Sequence, residues 1–245
     1  MAAENSIEPA SLDRSLVAPL WHTIVFLIVV LGTGLLQGYQ QPKLAAIQLR
    51  SRLPLYASMI VFELILLAYV WLLGLRPAGK RLRDLIGGKW SSLRDVLSDI
   101  SAAIVFWVLV AGVLIALQKV LGGSTAEMKA VKVLLPQTFP EMAAWIILAS
   151  TAGFCEEVVF RGYLQRQFFA MTGSLNLAVV LQAIVFGSAH LYQGTKSALT
   201  ITIYGAMFGI LAAVRKSLRP GMIQHAGQDI FSGIAGSLLA RRHYF

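Results

Sequence analysis

Apolar residues run along this chain in long blocks separated by short polar joints. The blocks fall near Leu20 to Leu36, Leu55 to Leu75, Ile100 to Leu121, Met142 to Phe160, Leu175 to Leu191, Ala198 to Val214 and Met222 to Ala240. Each approaches or meets the roughly 17–25 residues that a helix needs to cross a bilayer. The joints are linkers only, too short for a soluble domain. The pattern predicts an all-α fold, a polytopic transmembrane helical bundle of about seven spans, six to eight depending on how the weaker blocks are counted. Residues 1–141 supply N-terminal transmembrane helices and linkers, and residues 142–245 hold most of the polar groups set within apolar blocks; together they read as a single membrane domain.

Composition agrees with this. The 245 residues are 57% hydrophobic and 13% charged, against roughly 25% charged in soluble domains, and the mean hydropathy is +0.69. The net charge of +9 would suit nucleic acid, but the basic residues fall in the joints, where positive-inside topology accounts for them. The expected partner is therefore the lipid bilayer, with no nucleic acid. The densest basic cluster, Arg76, Lys80, Arg81, Arg83, Lys89 and Arg94, is assigned to the cytoplasm, and alternation places Arg215, Lys216, Arg219 and the N-terminus on the same side. This predicts a multi-pass protein of the cell membrane with a cytoplasmic N-terminus, while Lys43, Arg50, Arg52, Arg241 and Arg242 count against it from the opposite face. Glu4, Glu8 and Asp13 beside Arg14 are the wrong charge pattern for the start of a signal peptide.

Smaller features refine the picture. Between Arg76 and Asp99, basic residues alternate with Leu82, Leu85, Ile86, Trp90, Leu93 and Leu97, which suits an amphipathic segment at the cytoplasmic interface or a solvated linker. Pro140 suits a chain turning into the fourth span. Gly205 and Gly209 allow a neighbouring helix close approach. Cys155, the single cysteine, rules out an intramolecular disulfide and a cysteine-based zinc site, and its carboxylate neighbours oppose a reactive thiolate.

The informative stretch is Glu156-Glu157-Val158-Val159-Phe160-Arg161, which sets two carboxylates and a guanidinium in an otherwise lipid-like run. An ionisable group at bilayer depth costs roughly 2.5–3.5 kcal/mol on insertion scales, so a functional site is the default reading. On a helix Glu157 and Arg161 lie about 40° apart and Glu156 and Arg161 about 140° apart, which pairs Arg161 with Glu157. Glu156 then presents a different face and is the candidate for general-base chemistry. His190, ending Phe186-Gly187-Ser188-Ala189-His190, and the pair His225 and Asp229, four apart on one helical face, add polar groups on two further blocks. Glu63, with no motif around it, reads as a structural or snorkelling carboxylate.

EExxxR, then FxxxH, then HxxxN or HxxxD, in that order on successive apolar blocks, resembles the CPBP family, which includes the CAAX prenyl endopeptidases and the bacterial abortive-infection (Abi) proteins. The motifs cover about the last hundred residues and make residues 142–245 a CPBP-like catalytic core. The resemblance implies an intramembrane endopeptidase acting on a membrane-associated or C-terminal, CAAX-type peptide. Glu156, helped by His190, would activate water; His225 and Asp229 would stabilise the oxyanion, with Glu157 and Arg161 in support. Family members of the prenyl-protease type usually carry Asn at the position of Asp229. An ionised Asp can only accept a hydrogen bond, so Asp229 must be protonated, orient His225 or bind a cation. No cofactor is favoured, but Glu156, His190, His225 and Asp229 also form a donor set suited to zinc, which would make the protein a metalloprotease.

Two other classes stay open. Intramembrane Glu, His and Asp also build proton-coupled transporters, although the chain carries no inverted repeat; a non-catalytic immunity or scaffold protein could use the same fold. Simple alternation also creates a conflict. His190 lies about 22 Å into the fifth block and His225 only about 7 Å beyond Pro220, leaving the two about 15 Å apart in depth. A shared site then requires a later start to the fifth span, tilted helices, or a sixth span that is not a plain crossing.

Overall fold

The computed structural model describes residues 15–44, 46, 48–122 and 131–242, without the side chains of Leu44, Arg241 and Arg242. The acidic residues Glu4, Glu8 and Asp13, with Arg14 and the Arg241 and Arg242 side chains, lie outside the described residues.

The described residues form helices joined by short turns. The long elements are α1 (Leu20–Leu44), α2 (Leu53–Tyr69, extended by a π-helical turn over Val70–Leu75) and, after the short α3 (Leu82–Ile86), α4 (Leu93–Leu121). Next comes α5 (Phe139–Glu156), which runs without a break through a π-helical segment, Glu157–Leu164, into α6 (Gln165–Thr172). The chain closes with α7 (Leu175–Ser188), α8 (Thr195–Arg215) and α9 (Arg219–Arg242). Among the described residues five stretches are long and apolar enough to cross a membrane: Leu20–Lys43, Leu53–Leu75, Leu93–Leu121, Phe139–Thr172 and Thr195–Arg215. The other two apolar blocks also form helices, but α7 has only 14 residues, and α9 carries Gln224, His225, Gln228 and Asp229 in its length. The outer faces expose Ile28, Leu35, Val108, Leu109 and Val214, as a helical membrane protein requires where lipid replaces water.

Local chemistry fixes where the elements start. Thr138 caps α5, its side chain accepting from the Glu141 backbone N–H, and Pro140 occupies the first turn, where its missing N–H costs nothing. Glu141 also accepts from the backbone N–H groups of Arg52 and Gln137, each at 2.7 Å, so the α1–α2 joint is tied to the start of α5. Ser92 and Asp95 form a capping box at α4. The Arg76–Asp99 stretch is docked rather than free. Leu85 is buried, Arg166 donates to the carbonyls of Asp84 and Leu85, and Trp90 donates to Asp99 at 2.8 Å. Asp99 in turn pairs with Arg215 at 3.1 Å and Arg219 at 2.9 Å, closing α4, α8 and α9 at one end.

The depth conflict is resolved at the turn between α8 and α9. The fifth block starts at Leu175, where hydropathy put it, but α9 begins partway up the bundle. A Cβ on Gly221 would lie 3.3 Å from the Phe208 ring and 2.9 Å from Glu157 Oε2. The third residue of α9 is thus level with Phe208, about 10 Å back along α8 from its end. The α3 segment fills the space beneath, where Leu218 N donates to Ile86 O at 3.0 Å.

Glycines make the close crossings. A Cβ on Gly153 would meet Ala226 N at 2.7 Å, so α5 and α9 touch backbone to backbone one residue from His225. At Gly205 and Gly209 the expected close packing is present. Cβ atoms there would come within 2.9 Å of the Phe186 ring and 2.7 Å of Gln165 Oε1. Both carbonyls are also used: Gly205 O accepts from Arg161 and Gln182, and Gly209 O from Gln165.

Candidate active site

The site is built on the middle of the longest continuous helix. Glu156 ends the regular part of α5 and Glu157 opens the π-helical segment, an irregularity often found at functional sites because it re-aims side chains. Glu157 and Arg161 are buried completely and pair at 3.0 Å, as their spacing predicts. Arg161 is held further by Gly205 O at 3.3 Å and by the Phe186 and Phe208 rings, whose centroids lie 4.2 and 5.0 Å from its guanidinium carbon. Glu157 also meets His225 Nδ1 at 3.3 Å.

Glu156 points elsewhere, as predicted. Its Oε1 lies 4.0 Å from His190 Nε2, and its Oε2 lies 3.5 Å from His225 Nε2. His225 Nε2 is also 3.7 Å from Asp229 Oδ2. Four residues read from sequence, from α5, the turn after α7, and α9, therefore converge on one point, with Glu157 and Arg161 behind it. Glu156 Oε2 is buried with no donor at hydrogen-bond distance.

The hydrogen bonds assign the imidazoles. His190 Nδ1 sits 2.8 Å from the carbonyl of Phe186, which can only accept. Nδ1 therefore carries a proton, and Nε2 is the nitrogen turned toward Glu156. His225 faces carboxylates from both nitrogens, so a ring donating on both sides fits its surroundings. Trp145 Nε1 donates to the carbonyl of Asp229 at 2.9 Å, which ties α9 to α5 beside the site. Tyr192, in the Leu191–Gln193 turn, completes the wall. Burial first, then the Glu156, Asp229 and Glu63 carboxylates, push its phenol well up, against a hydrogen bond from Gln193. Its hydroxyl thus stays protonated and can donate.

Two cavities meet here. One of about 530 Å³ lies between α1, α2 and the end of α7, with Val30, Phe62, Leu66 and Phe160 among its walls. The other, of about 370 Å³, is lined by α2, α4, α5, α8 and α9 and includes His225 and Asp229 in its wall. Glu63, Glu156, His190 and Tyr192 border both. Glu63, read from sequence as a structural or snorkelling carboxylate, borders the site. It stands about 15 Å from the start of α2, near mid-membrane rather than at a span end, and its carboxyl is within hydrogen-bonding reach of Glu156. The one available signal was its isolation as the single charge in α2.

As for zinc, no group of three or more His, Cys, Asp and Glu side chains among the described residues is arranged to hold a metal ion. His190 Nδ1 is bonded to the Phe186 carbonyl and His225 Nδ1 meets Glu157, which leaves Nε2 of each ring turned toward Glu156.

Residues 138–231 match the family described as type II CAAX prenyl endopeptidase Rce1-like. The match makes this segment similar to that CAAX protease family. The Rce1-like segment contains Glu156, Glu157, Arg161, His190, His225 and Asp229, and excludes α1, α2 and α4. No curated protein and no solved structure matches the chain.

Proposed function

We propose that the protein is an intramembrane endopeptidase that hydrolyses a peptide bond in a membrane-associated or C-terminal, CAAX-type peptide, using water activated by Glu156 and His190. The observation that carries this reading is the 4.0 Å gap between Glu156 Oε1 and His190 Nε2, which are two acceptors facing one another when the imidazole is neutral. The gap is too long for a direct hydrogen bond but suits a water that donates one proton to each. As water attacks the carbonyl carbon, Glu156 takes a proton and His190 holds the other in line. His225 donates from Nε2 to the developing oxyanion, and Asp229 acts by orienting and balancing that imidazole rather than by donating itself. Glu157 and Arg161 fix His225 from behind.

The apolar cavity between α1 and α2 would take the lipid-anchored side of the substrate and the cavity beside His225 and Asp229 its other side, with the scissile bond at the four polar residues common to both, Glu63, Glu156, His190 and Tyr192. Cytoplasmic placement of the N-terminus accompanies this reading. It is supported by the gathering of Arg166, Arg215 and Arg219 with the Arg76–Asp99 stretch at one end of the bundle.

The test is cleavage of a prenylated CAAX-type peptide and a panel of other membrane-anchored peptides by purified protein in detergent, with and without a strong chelator. Wild type should cleave in chelator, and Glu156→Gln should not. Loss of wild-type activity in chelator would move the chemistry to a metal. Equal cleavage by Glu156→Gln would end the general-base assignment.

A further inference from the structure

Glu63 has no role in the reaction as described so far, and its surroundings give it one. It lies on α2, outside the family match, yet it borders both cavities with Glu156 and His190. Its carboxyl is within hydrogen-bonding reach of the Glu156 carboxyl. Two carboxyl groups can share a hydrogen bond only if one holds a proton, and in a water-poor site two adjacent carboxylates do not both ionise. The groups facing the pair are Cys155 from α5, His190 and Tyr192 from the turn after α7, and His225 and Asp229 from α9.

We propose that Glu63 is a second catalytic carboxyl, the general acid that protonates the leaving amine. This rests on the endopeptidase reading. In the resting site one proton lies between Glu63 and Glu156. Water forms the new C–O bond and gives one proton to Glu156. The C–N bond then breaks, its electron pair goes to nitrogen, and nitrogen takes the proton held by Glu63. The products are a carboxylic acid and an amine. The proton now on Glu156 is shared again with Glu63, so the site returns to its starting state without a co-reactant. The logic is that of two carboxyls with divided acid and base duties.

The experiment compares a quenched fluorescent prenylated peptide with its counterpart carrying an ester at the scissile bond, for wild type, Glu63→Gln and Glu156→Gln. An alkoxide leaves with far less help from a proton than an amide nitrogen does. Glu63→Gln should therefore lose about 100-fold in kcat on the amide while hydrolysing the ester within a few-fold of wild type; Glu156→Gln should lose both. Equal loss on amide and ester, or none on either, overturns the role of Glu63 and leaves the endopeptidase reading intact. Full activity of Glu156→Gln overturns that reading itself. If Glu63→Gln loses its cooperative melt, Glu63→Asp carries the same comparison. A carboxyl set back by one methylene should again slow the amide more than the ester, and equal slowing counts against the proposal.

Discussion

Glu156 and Glu157 are neighbours in sequence and opposites in environment. On one side of the helix Glu157 is closed in: Arg161, His225, Gly205 and two phenyl rings surround its ion pair, and it lines neither of the two cavities. On the other side Glu156 looks into two cavities, with its partners set back at 3.5 and 4.0 Å. A buried ion pair seldom adds net stability over apolar packing, but breaking it leaves an uncompensated charge. A carboxylate with loose partners at a cavity, by contrast, is arranged to exchange protons. The comparison teaches that the closed side specifies position and the open side carries chemistry, so substitutions on the two sides should separate stability from rate.

The largest effect is expected on the open side. Glu156→Gln keeps size and removes the base, so kcat should fall by about 10²–10⁴-fold while the melting temperature in detergent stays within a degree or two of wild type. If instead the melt collapsed, Glu156 would belong to the closed side and the contrast would fail.

On the closed side Arg161→Ala should behave in reverse. It strands the Glu157 carboxylate and empties the space between Phe186 and Phe208, at a cost of about 3–5 kcal/mol in unfolding free energy. A double substitution, Glu157→Gln with Arg161→Met, should recover much of that loss, because two neutral groups replace a broken pair. Recovery of stability without recovery of kcat would sharpen the division; a double variant as unstable as the single one would break it.

Much of this contrast was legible in the sequence. The helical angle between Glu157 and Arg161 predicted their pairing, and the order of the motifs brought Glu156, His190, His225 and Asp229 under suspicion together. What was not legible was depth. Hydropathy reports where apolar blocks lie but not how far a helix is raised by the turn beneath it. The rise of α9 over Lys216–Leu218 depends on a hydrogen bond to Ile86, from a segment far away in the chain. Glu63 was missed for a related reason. A lone carboxylate has no spacing to read, and only the packing of α2 against α5 shows that it faces Glu156. The hydropathy blocks gave the positions of the helices, whereas the polarity of α9 comes from its place against α5 and the site rather than against lipid.

The smallest effect expected lies where the two sides are joined. Trp145 Nε1 donates to the Asp229 carbonyl and its ring packs on Tyr56 and Gly233, so it holds α9 to α5 at the level of the open side. Trp145→Phe keeps an aromatic body and removes the donor, leaving the loss of one hydrogen bond of about 0.5–1.5 kcal/mol. If Asp229 acts by orienting His225, that loosening should appear as a few-fold fall in kcat with KM unchanged, because the oxyanion contact is made only as charge develops. A rise in KM at constant kcat would place Asp229 in substrate binding instead. It would then extend the open side to the wall of the cavity that Asp229 lines and reduce His225 to a part of the closed one.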